Sequence, residues 1–120
     1  MPADIDTILV TVKEGIGIQA TDTTFDGPLL LHINSALMIL NQLGVGPEEG
    51  FVIAGNTPNV VWTNFLSLDE LKYLALIKSF VILTVQMLFD PPTSGIVSTA
   101  RKAMLEEYAS RIETQIAIQE

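Results

Sequence analysis

The stretch Ser67–Pro92, SLDELKYLALIKSFVILTVQMLFDPP, decides the fold. It opens on a helix-start signal. Ser67 and Glu70 are spaced so that each side chain can accept the other's backbone N–H, and Leu66 and Leu71 take the staple positions around them. It closes on Asp90-Pro91-Pro92, because proline lacks an N–H and disfavours helix in the residue before it. Between these signals Lys72, Ser79 and Gln86 form one narrow polar stripe, and nearly everything else from Leu71 to Phe89 is apolar. A helix of that kind must be covered on most sides. A membrane span is opposed by Lys78, which near mid-span would cost roughly 3 kcal/mol. The flanking Asp69, Glu70 and Asp90 offer no basic anchor either. The stretch reads as a buried helix, with no membrane involved.

Working outward, a C-terminal helix is expected from about Gly95 to Ala117. Its stripe is Val97, Ala100, Met104, Tyr108, Ile112 and Ile116, and its other face carries the pairs Lys102–Glu106 and Glu107–Arg111. That helix either projects as an arm or, over its first half, packs its stripe on the long helix. Upstream, residues 44–66 are punctuated by Gly44, Gly46, Pro47, Gly50, Gly55 and Pro58. Within them Phe51-Val52-Ile53 and Val60-Val61-Trp62 are β-prone and could pair as a small hairpin. A helix before that starts near Asp26–Pro28 with Asp26 as cap, buries Leu29, Ile33, Ala36, Leu37 and Leu40, and ends with Gly44 at C′. Ile5, Leu9, Val12 and Ile16 predict a first helix over residues 4–14, ended by Gly15 and Gly17. The fold class is all-α: about four helices with a long central apolar helix, an irregular loop at 44–66 with room for a hairpin, and a C-terminal helix, in a single domain over 1–120.

Composition sharpens this. In 120 residues, 48% are apolar and 17% charged, with a mean hydropathy of +0.42. Part of the apolar surface is therefore expected to face another chain, the alternative being an unusually apolar core. Cysteine is absent, which excludes disulfides and thiolate metal sites and suits a reducing compartment. Six basic residues against fourteen acidic ones give a net charge of −8, and nothing in the pattern tracks a phosphate backbone. The start Met-Pro-Ala-Asp has no secretory-signal features.

No constellation for catalysis emerges. His32 is the single histidine and has no cysteine or carboxylate close by in sequence, so it reads as a structural or interface residue. Asp22 and Asp26, Glu48-Glu49 and Glu106-Glu107 lack the partners that hydrolysis or metal binding needs, and read as solvated faces. Phosphate-loop and nucleophile-elbow motifs are missing, and Gly15-Ile16-Gly17 is too short to count. Trp62 reads as a plug for a small core under its own loop, the alternative being an interface anchor. The expectation is a non-enzyme with no catalytic, cofactor-binding or metal-ligating residues and no cofactor.

A further set of residues carries a family pattern. Leu31-His32-Ile33-Asn34, Asn41 through Pro47, Gly50-Phe51, Trp62 and Phe65-Leu66 come first. Lys72-Tyr73, the apolar helix, Leu88-Phe89-Asp90-Pro91-Pro92 and a last helix with Arg111 follow in order. Together, from about Ile5 to Arg111, they resemble the head–tail connector (head completion or adaptor) proteins of siphovirus-type tailed bacteriophages. The chain departs from many relatives, which carry an acidic-aromatic run before the final arginine; here it reads Glu106-Glu107-Tyr108-Ala109-Ser110-Arg111.

The resemblance implies a structural virion subunit with no catalytic residues, made in the host bacterial cytoplasm and placed at the head–tail joint. It implies a homo-oligomeric ring, dodecameric in related phages, between the portal protein and a downstream stopper or tail-joining protein. Such a ring extends the DNA channel without specific nucleic-acid binding. The apolar excess suits ring contacts, and the negative charge suits a tunnel in which DNA slides. The competing reading is a small helical protein-binding or regulatory module that holds a partner helix in an apolar groove.

Overall fold

The computed structural model of the chain describes residues 7–119. They form α1 (Ile8–Gly15), α2 (Asp26–Gln42), the single turn α3 (Trp62–Phe65), a 3-10 turn over Glu70–Tyr73, α4 (Leu74–Phe89) and α5 (Gly95–Gln119). The all-α expectation holds, with α4 at the centre packing on α1, α2 and α5.

Thr7 caps α1, its hydroxyl accepting the Val10 N–H at 3.1 Å. The expected start at residue 4, with Ile5 on the stripe, lies outside the described residues. Helices α1 and α2 end alike. Gly17 (φ 88°) and Gly44 (φ 102°) adopt the left-handed conformation at C′. The residues after them reach back, Ile18 N–H to Lys13 C=O at 2.8 Å and Val45 N–H to Leu40 C=O at 3.0 Å. These are Schellman closures, which absorb carbonyls left over at a helix end. Beside Gly44 there is no room for a side chain, because a Cβ would sit 2.8 Å from Ile116 Cγ2 of α5.

Asp26 does not cap α2. Phe25 occupies the N-cap position with no side-chain bond. The Asp26 carboxylate accepts instead from Lys13 Nζ at 2.9 Å, and the same ammonium donates to Ala20 C=O at 3.1 Å. Lys13 is 1% exposed. A buried ammonium is tolerated because its charge and its protons both find partners.

The capping box before α4 forms as expected. Ser67 N–H donates to Glu70 Oε1 at 2.9 Å and Glu70 N–H to Ser67 Oγ at 3.3 Å. The other Glu70 oxygen accepts the Gly46 N–H at 3.0 Å, so one carboxylate starts the helix and anchors the loop. The chain passes through the 3-10 turn before α4 proper begins. At the far end Asp90 N–H bonds Gln86 C=O at 2.9 Å, the two prolines follow, and Ser94 caps α5 by accepting the Val97 N–H at 3.3 Å.

The hairpin option within 44–66 is not taken, and no strand occurs among the described residues. Its two β-prone runs find other partners. Ile8 N–H donates to Val60 C=O at 2.9 Å, and Thr7 and Val61 make an isolated bridge. Ile53 exchanges two bonds with the Asn34 side chain, Nδ2 to Ile53 C=O at 3.1 Å and Ile53 N–H to Oδ1 at 2.8 Å. A carboxamide offers the same donor and acceptor as a peptide group, so it replaces a paired strand. Trp62 is not a plug for a separate loop core. It joins the main core with Ile8, Val12, Leu37 and Phe65, its indole N–H donating to Thr11 Oγ1 at 3.1 Å.

The Lys13–Asp26 pair makes a test of the fold. Asp26→Ala strands a buried cation and is expected to lower the unfolding free energy by about 3 kcal/mol in urea titrations. Lys13→Met combined with Asp26→Ala should lose clearly less than Asp26→Ala alone. Equal losses would mean that the ion pair does not hold α1 to α2.

Candidate assembly surfaces

The sequence requires α4 to be covered on most sides, and the chain covers one. Five of its sixteen residues are buried, namely Ile77, Phe80, Val81, Thr84 and Val85. On the opposite face Lys72 and Ser79 are exposed and Gln86 half-buried, so the polar stripe points away from the core. Flanking that stripe, Leu76, Ile82, Leu83 and Met87 are only half-buried, and Leu88 is 51% exposed. The segment Glu70–Phe89 has the length and mean hydropathy (1.6) of a membrane span. Here its buried face is the centre of the core, packed on α1, α2 and α5.

The long stripe of α5 divides in two. Ile112 and Ile116 are buried, with Leu105, Tyr108 and Ala109 packed partly against the core. In the first half Ile96 is 85%, Val97 40% and Met104 45% exposed. The first half therefore projects, as the arm reading expects, and does not pack its stripe on α4; it is the second half that packs, because only there does the helix run over the core. Of the two anticipated ion pairs on this helix, Glu107–Arg111 forms at 2.7 Å between exposed side chains, a contact worth a few tenths of a kcal/mol. A third uncovered surface lies on α2, where Leu31 and Met38 are exposed, with Val52 of the loop beside Met38.

The polar candidates do not converge. His32 is half-buried and meets the Phe89 ring edge-on at 6.5 Å, while Phe25 meets the same ring at 5.4 Å. The histidine thus joins the start of α2 to the end of α4. Lys78 Nζ stands over the Trp62 ring at 5.9 Å, and Lys72 Nζ over Tyr73 at 5.4 Å. Asp22 is held below the ordinary carboxylate range by hydrogen bonds from the Thr24 side chain and backbone. Among the described residues no three His, Cys, Asp or Glu side chains come together as a metal site. The Thr84 hydroxyl is buried with no hydrogen-bond partner among those residues. Sequence reasoning passed over it because threonine blends into an apolar run.

Comparison with known proteins gives one match. A family model described as phage connector protein matches residues 8–119. No curated protein and no solved structure matches the chain.

Two sets of variants follow from α4. Val81→Asp buries a charge at a fully covered position and should abolish the folded state by circular dichroism, whereas Leu83→Asp, half-buried on the outer side, should leave it folded. Equal effects would contradict the one-sided covering of the helix. Thr84→Val removes a buried hydroxyl without a partner and should raise stability by about 1 kcal/mol in thermal unfolding; a loss of stability would show that the hydroxyl is satisfied in solution.

Proposed function

Because the chain belongs to the phage connector protein family, we propose that it is a ring-forming subunit of the virion head–tail joint. It acts as one domain over residues 1–120 and works by structure, without catalysis. The ring sits between the portal and a downstream stopper or tail-joining protein and lengthens the channel through which DNA passes.

The observation that carries this reading is the uncovered apolar surface. The outer flanks of α4, the first half of α5 and the exposed side of α2 together expose more large apolar side chains than a subunit without partners needs. Copies related by rotation would cover such surfaces and close on themselves. Charge supports the channel. The net charge is −8 per copy, and of the six cations Lys13 is buried against Asp26 and Arg111 is paired with Glu107. A wall of that sign gives phosphates little to adhere to.

The test is mass. Native mass spectrometry of the subunit with portal protein is expected to show a multi-copy ring on the portal. In parallel, anisotropy titration with duplex DNA at about 0.15 M salt should show no tight saturable binding. A subunit that stays monomeric or dimeric beside the portal would favour the module that captures a partner helix, and tight salt-sensitive DNA binding would overturn the channel role.

A further inference from the structure

We infer that the first half of α5 in one copy docks in the notch formed by Met38, Phe51 and Val52 on the next copy, which makes this the head-to-tail contact of the assembly. The inference rests on the ring reading and specifies which surfaces meet. The notch has a volume of about 260 Å³ and is lined by Met38, Asn41, Glu49, Gly50, Phe51 and Val52. Met38 and Val52 are 57% and 67% exposed. On α5, Ile96, Val97 and Met104 are the exposed apolar side chains.

Charge selects this pairing. The exposed Glu49 lines the notch, and the exposed Glu48 precedes it in the chain. The exposed part of α5 carries Arg101 and Lys102, the one place in the sequence where two cations are adjacent. None of these four groups takes part in an ion pair within the chain among the described residues. Notch against notch would face glutamates with glutamates, and α5 against α5 would face cations with cations. Notch against α5 sets Glu49 opposite Arg101, which borders Val97 and Met104 at helical spacing, while covering apolar surface on both sides. Each surface thus repels its own copy and attracts the other, which favours a heterologous contact over a two-fold one.

The chain has no cysteine, so single cysteines report contacts cleanly. Val52→Cys copies are mixed with Ile96→Cys copies and oxidised, both as free subunits and bound to phage heads. The expected result is a mixed disulfide-linked dimer well in excess of either like pair and of a control mixing Val52→Cys with Thr114→Cys. Adding Glu48→Lys and Glu49→Lys to the Val52→Cys copy should cut its yield severalfold. Placing Arg101→Glu and Lys102→Glu on the Ile96→Cys partner should restore it. Mixed cross-linking no greater than the control in both preparations would overturn the inference, as would charge reversals without effect. If rings form on the portal while this pair stays unlinked, the contact is wrong and the ring reading stands. If the pair links but the protein is absent from the head–tail joint, the contact stands and the ring reading falls.

Discussion

A helix that is apolar on nearly all sides, in a chain too short to cover it, is the constraint on which the rest depends. Helix α4 places Ile77, Phe80, Val81 and Val85 in the core and leaves Leu76, Leu83 and Met87 half-buried. Burial is worth about 25 cal/mol per Å² of apolar surface, so each of these flanking side chains retains an unspent driving force for association. The other elements are tied around the helix by a few specific bonds. Glu70 starts it and holds Gly46 of the loop, Lys13 holds α1 to Asp26 of α2, and Asn34 fixes Ile53 across the loop. These polar contacts settle where the pieces sit, and the apolar surplus on α4, α5 and α2 is what remains for partners.

Electrostatics follows from the same economy of residues. The chain has few cations, and the fold engages four of the six, with Lys13 buried in its ion pair, Lys78 over Trp62, Lys72 over Tyr73 and Arg111 paired with Glu107. What faces outward is mainly acidic; besides the exposed Lys72 and the paired Arg111, it is interrupted at Lys102 and the half-buried Arg101 beside it. A subunit of this kind repels copies of itself at random and associates where its exceptional basic pair meets carboxylates. That combination suits the proposed connector, in which orientation between neighbours must be unique and DNA must not adhere.

Features governed by near neighbours were legible in the sequence. The Ser67–Glu70 box, the Gly17 and Gly44 helix ends and the Asp90-Pro91-Pro92 stop were read from residues a few positions apart, because the physics of a cap is local. The family resemblance was likewise carried by ordered motifs, and the family match over residues 8–119 agrees with it. What escaped was long-range. Lys13 and Asp26 are thirteen residues apart and Asn34 and Ile53 nineteen, and nothing in periodicity selects those pairs. The β-prone runs at Phe51–Ile53 and Val60–Trp62 were real, but hydrogen-bonding partners are chosen by the fold, which offered α1 and an asparagine amide. The α5 stripe is continuous from Val97 to Ile116, so its division into a projecting and a packed half depends on where neighbouring helices end.

The central claim is that the apolar surface left uncovered on the subunit is covered in the particle. Oxidative footprinting of Met38, Met87 and Met104 measures this directly, since the first and last are 57% and 45% exposed and the second is half-buried. Met38, Met87 and Met104 are expected to oxidise readily in the free subunit and to be protected in purified phage particles. Oxidation at the same rate in both states would contradict the account.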